Sequence, residues 1–194
     1  MIENTDKRHA GGVPAAADGT AETAGMSDSC KAGALGTVNN QIIAEHWNKE
    51  RQELPGFDCI VYANGDVTIL NCYSLTNSST GERKLFCRPR CDTTIASIEK
   101  YDAAEWTGVD EWARVEHEEK TFIGGDGAMG NMGFIAHIDG DGDLIWGIFF
   151  WNTNPLKELT VTGGILSAVN EHSELRVEIN IENITEITMT VLRE

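Results

Sequence analysis

Positive charge is scarce in this sequence: its 194 residues hold 15 Lys and Arg against 31 Asp and Glu, a formal net charge of −16. A surface so negative repels phosphates, which argues against a nucleic-acid binder and against docking on anionic membranes. Long apolar runs are also missing. A membrane-spanning helix needs roughly 18 such residues, whereas the longest stretch, around Leu144 to Trp151, is strand-sized. No positively charged and then apolar segment opens the chain, and its five cysteines, Cys30, Cys59, Cys72, Cys87 and Cys91, are odd in number. Both features fit a reducing, cytoplasmic setting, in which the glycosylation patterns at Asn77 and Asn183 are chance matches.

Catalytic signatures are absent as well. His46, His117, His137 and His172 fall in no H-E-x-x-H, and there is no G-x-S-x-G elbow. Gly125 to Gly130 satisfies G-x-G-x-x-G, but a strand and hairpin follow where a phosphate-binding helix is required. Asp139, Asp141 and Asp143 alternate like a calcium loop, yet Leu144 and Phe150 occupy the positions that need Gly and Glu. Cys59, Cys72, Cys87 and Cys91 lack the C-x-x-C spacing of a zinc knuckle. No cofactor or metal is therefore expected. An enzyme that assembles Asp, Glu and His groups through its fold, or a redox protein working through Cys87 and Cys91, is the alternative. A domain whose charge is an adaptation to a saline cytoplasm is a third reading.

Hydrophobic residues make up 41% of the chain, enough for a real core. Residues 1–37 are rich in small and polar side chains and read as a disordered tail with a second potential start at Met26; residues 38–194 read as one domain. Asn39 and Asn40 signal a helix start, with Ile43, Trp47 and Leu54 at helical spacing until Pro55-Gly56. Residues 57–73 form a predicted hairpin about Asn64-Gly65 in a two-residue type I′ turn. That pairing sets Cys59 opposite Leu70 and leaves Cys59 and Cys72 on one face, too far apart for a disulfide. A second helix is predicted from Asp92 through Ile95, Ile98 and Tyr101. A second hairpin spans 134–151, and a meander spans 158–192, where Leu175, Val177, Ile179 and Ile181 alternate with polar residues. The fold class is α+β with a mostly antiparallel sheet and one or two helices.

The stretch from Asp102 to Asp126 carries eight acidic residues against Arg114 and Lys120. Within it Asp102, Glu105, Trp106, Asp110, Glu111, Trp112, Glu116, Glu118 and Glu119 form the candidate partner-binding set. Carboxylates steer a basic partner, and tryptophans are frequent interface anchors.

Residues 124–156, with Gly133, Phe134, Ile135 and Ala136, then Leu144, Trp146, Phe149 and Phe150, then Asn154 and Pro155, resemble immunity proteins encoded beside bacterial polymorphic toxins. In those proteins a Gly-rich lead, G-F-[IV]-A, a polar turn, L-x-W-x-x-F-F and an Asn-Pro exit recur. The resemblance implies a non-enzymatic inhibitor of one cognate toxin domain, with no catalytic residues to transfer. Joined to the charge, it points to a cytoplasmic protein that caps the phosphate-binding groove of a basic, nuclease-type toxin.

Overall fold

Strand-forming alternation and continuous apolar runs divide this chain between partly and fully buried strands. The structure, a computed structural model, describes residues 28–101 and 105–193. In chain order these form α1 (Asp28–His46), β1 (Glu53–Pro55), β2 (Cys59–Tyr62), β3 (Asp66–Thr76), β4 (Arg83–Thr94) and α2 (Ile95–Tyr101). Then follow β5 (Trp106–Gly108), β6 (Asp110–His117), β7 (Lys120–Asp126), β8 (Gly133–Ile138) and β9 (Leu144–Phe150). The described chain ends with β10 (Leu156–Thr162), β11 (Ile165–Asn170), β12 (Leu175–Asn180) and β13 (Asn183–Val191).

A seven-stranded antiparallel sheet runs in the order β4-β3-β2-β9-β8-β7-β6, and a four-stranded meander β10-β11-β12-β13 packs on one of its faces. Ile60, Phe122, Ile135, Ile148 and Phe150 of the large sheet meet Leu166, Ala168, Val177 and Ile179 there. On the opposite face Cys59, Val61, Ile123, Phe134 and Phe149 pack under Ile43 of α1, Trp47 just past its end, Leu54 of β1 and Ile95 of α2. β8 and β9 are covered on both sides, which is why their sequences are nearly continuous apolar runs. Each fully buried Phe or Ile contributes about 1.5–3 kcal/mol relative to exposure. The expected antiparallel fold with two helices is present, and it is mainly β.

Local differences have local causes. α1 begins at Asp28, inside the stretch expected as a tail, and residues 1–27 lie outside the described residues. It ends at His46 rather than near Pro55, because Asn48 turns the chain: its amide donates to the Ala44 and Glu45 carbonyls while its Oδ1 accepts from the N–H groups of Glu50 and Arg51. Leu54 then reaches the core from a strand. α2 starts two residues past the predicted cap region, with Thr94 Oγ1 accepting from Ser97 N–H; Asp92 stays in β4 and accepts from the Thr68 hydroxyl at 2.7 Å.

The β2–β3 register is one residue off the predicted one, pairing Cys59 with Ile69 and Val61 with Val67. Only Gly65 takes a positive φ (77°), since Asn64 Oδ1 accepts from Asp66 N–H and holds the turn as a longer loop. A one-residue slip moves side chains to the other face. Cys59 therefore lies in the helix-side core and Cys72 on the meander side, where it forms a disulfide with Cys87, its direct partner across β3–β4.

Candidate functional site

The acidic stretch forms the far edge of the large sheet. Among the described residues β6 pairs only with β7, and its exposed residues include Asp110, Glu111, Trp112 and Glu116. Alternation places Ala113, Val115 and His117 inward, with Val115 packed against the inter-sheet core. Between Glu111 and Ala113 the register shifts, so Trp112 is the extra residue of a β-bulge. Bulges re-aim side chains at sheet edges, and Trp112 is 47% exposed. The bulge requires Gly125 opposite: a Cβ there would collide with the Asp110 carbonyl and lie 2.8 Å from Trp112 N.

β6 turns into β7 through Glu118 and Glu119, which both adopt left-handed backbone, at φ 48° and 63°. Such a two-residue turn favours Asn-Gly, and each non-glycine residue held there costs about 1–2 kcal/mol. Both carboxylates are exposed. Asp110 stands directly opposite Asp126, a like-charge cross-strand pair, and Asp126 Oδ1 is buried with no hydrogen-bond partner among the described residues. Glu111 is the partly neutralised member, held by Arg114 through Nε–Oε1 at 2.9 Å and Nη2–Oε2 at 2.7 Å. That bond also pushes the Arg114 pKa further up.

The remaining predicted residues lie apart from this edge cluster. Trp106 is half-buried: its ring stacks on His46 at 3.7 Å and its Nε1–H donates to Glu99 at 3.2 Å, tying β5 to α1 and α2. His46 in turn bonds Glu53 at 2.6 Å. Glu105 is exposed and its carbonyl accepts from Gly56 N–H. Asp102 lies outside the described residues. The structure thus gathers Asp110, Glu111, Trp112, Glu116, Glu118 and Glu119 on one hairpin and gives Trp106 a packing role.

Other chemical motifs have structural duties. Asp139 Oδ1 accepts from the N–H groups of Asp141 and Asp143, both at 2.9 Å, so its carboxylate closes the β8–β9 turn. Among the described residues no group of three or more His, Cys, Asp or Glu side chains is arranged to hold a metal ion. Cys59 is fully buried; burial first, and the Asp58 charge second, push its thiol pKa far up, away from reactivity. His137 sits between Phe122 and Trp146, with ring centroids 5.0 and 5.7 Å away. Its pKa is lowered by burial and then by the Lys120 charge, against an opposing pull from Asp139.

A second charged surface was not singled out from the sequence. β4 carries Arg83, Lys84, Arg88 and Arg90 with no acidic residue between them, and it forms the opposite edge of the same sheet. The signal was the cation-dense run itself, from Arg83 to Arg90 around Cys87. No protein-family model, no curated protein and no solved structure matches this chain. No helix among the described residues is long and apolar enough to cross a membrane.

Proposed function

We propose that the protein is a non-enzymatic inhibitor of the immunity-protein kind, which binds a basic toxin domain through the β6 edge and the β6–β7 turn. The observation that carries the reading is Trp112, a large aromatic side chain that is 47% exposed on the bulge of an edge strand, amid exposed carboxylates. An anchor inside a charged rim is the arrangement that concentrates binding energy while steering encounter. Asp110, Glu116, Glu118 and Glu119 supply the rim, raising the association rate with a cationic groove, and Trp112 enters a pocket of the partner and slows departure.

Unfavourable geometry at the same place supports the reading. The left-handed Glu118-Glu119 turn and the Asp110/Asp126 apposition both cost stability, and such costs tend to accumulate at functional sites. A cytoplasmic location belongs to the proposal, because the inhibitor has to meet its toxin beside the toxin's target. The Cys72–Cys87 disulfide runs against that location, because a reducing glutathione pool opens such bonds. Rapid alkylation of protein taken directly from the source cells is then expected to label both cysteines; protection of the pair would move the protein to an oxidising compartment.

The test uses the full chain as bait in extracts of the source cell, beside a variant carrying Trp112→Ala with Glu116, Glu118 and Glu119 changed to Lys. A basic protein retained by the wild type and lost with the variant is the expected result. The retained protein should be toxic when expressed alone and harmless when this chain is co-expressed. Equal retention by both baits, or toxicity that co-expression does not relieve, would refute the proposal.

A further inference from the structure

The end of the molecule opposite the acidic edge holds its own built surface. β2 is short, so the outer parts of β3 and β4 continue as a two-stranded ribbon over the end of the meander. Between this ribbon and β13 runs a trough made of three adjoining hollows of about 250, 430 and 410 Å³, with Arg83 and Leu85 in the wall of each. β4 and β13 are the end strands of their sheets and form no ladder with one another, although their Cα atoms approach within 8 Å. Their outward N–H and C=O groups are a template for another strand.

The side chains of β4 divide by face. Leu85 and Cys87 point into the inter-sheet core, beside Leu175 and Met189. Lys84, Phe86 and Arg88 alternate with them on the outer face, where Phe86 stacks on Tyr73 at 5.1 Å and Arg88 lies 5.7 Å over the Phe86 ring. In a chain of net charge −16 this concentration of cations stands out. Of the four cations of β4, only Lys84 has a carboxylate within 4.0 Å among the described residues, the exposed Glu82 at 3.3 Å. Arg83, Arg88 and Arg90 form no ion pair among the described residues.

We propose that the β4 edge takes an acidic polypeptide segment as an added strand, with acidic residues on its outer face and apolar residues on its inner face. An added strand alternates its side chains with a period of two. Its outer residues come beside Lys84 and Arg88, where opposite charges across a strand pair attract, and its inner residues come beside Leu85 above the trough floor. A nucleic acid fits less well. The chain's overall charge repels it, and a phosphodiester backbone cannot use the edge N–H and C=O groups in a ladder. This site is separate from the β6 edge and does not depend on the toxin proposal.

The experiment titrates the full chain into a dye-labelled, end-capped (Val-Glu)4 peptide and follows fluorescence anisotropy at low and moderate salt. Three controls accompany it: (Val-Lys)4, the same acidic peptide N-methylated at alternate residues, and (dT)8. Binding of (Val-Glu)4 that weakens with salt is expected, with loss of at least about tenfold on N-methylation. A similar loss is expected for Lys84→Glu/Arg88→Glu, whose thermal transition confirms folding, and none for Trp112→Ala. Absence of binding at millimolar peptide overturns the proposal. Indifference to N-methylation overturns strand addition, and tighter binding of (dT)8 makes this a phosphate site. Dimerisation of the chain that Arg88→Glu abolishes would make the occupant a second copy and overturn it equally.

Discussion

Two tryptophans six residues apart look alike in the sequence, yet they do different work. Trp106 is held by the His46 ring and Glu99, whereas Trp112 projects from a bulge. Trp112→Ala is accordingly expected to leave the melting temperature nearly unchanged while costing about 2 kcal/mol or more of partner binding through a faster off-rate. Trp106→Ala should do the reverse, lowering the melting temperature by removing packing. Glu118 and Glu119 give a sharper contrast. Replacing them by Asn and Gly suits their φ of 48° and 63°, so stability should rise, by about 1 kcal/mol or more. Association with the partner should slow in the same variant. Denaturant unfolding and stopped-flow mixing read the two effects independently.

His137 adds a pH dependence at the same scale. Its folded pKa lies below the ordinary 6.5, so the native state resists a proton that the unfolded chain accepts. Its contribution to stability is present above about pH 6.5 and is lost as the pH falls through the lowered folded value. His137→Gln should flatten the stability curve on the acid side of pH 6.5, as measured by urea unfolding at stepped pH. An unchanged slope would show that the ring's burial does not control its titration.

Among the elements, the β6–β7 hairpin depends on a glycine that the sequence offered as part of a nucleotide motif. Gly125 has no Cβ because the bulged strand lies against it, and Gly125→Ala should remove the bulge or shift β6 by a residue. Trp112 would be re-aimed, and partner binding should fall by more than the modest loss of melting temperature accounts for. Strand existence was legible where period-two alternation marks β12 and apolar runs mark β8 and β9, and not at β1, whose Leu54 reads as helical, or at β5. Register was less so. Asn64-Gly65 reads as a two-residue turn, but a side-chain bond from Asn64 to Asp66 N–H lengthened the loop and reversed the faces of Cys59 and Cys72. The disulfide between Cys72 and Cys87 was hidden for the same reason, since it follows from a long β3–β4 pairing that no local signal specifies. Residues 124–156, which carry the resemblance to immunity proteins, form β8, β9 and their flanks at the centre of the sheet; they speak of the core rather than of a partner.

At the scale of the whole molecule, charge is sorted to opposite ends. The acidic β6 and the basic β4 terminate the same seven-stranded sheet, six strand spacings apart, or about 29 Å. The acidic half of this pattern was legible as a dense run with two tryptophans, although which tryptophan is exposed depends on tertiary packing. The basic half lay in plain sequence but acquires meaning only once β4 is seen to be an edge over a trough. An electric asymmetry of this size orients the chain during encounter, so a cationic partner meets the β6 end first. The central claim is tested most directly by the association rate of the captured partner at low and high salt, for the wild type and for the chain with Glu116, Glu118 and Glu119 reversed to Lys. The account predicts a steep fall with salt for the wild type and a slower, nearly salt-independent rate for the reversed chain. Equal rates and equal salt slopes for the two proteins would contradict it.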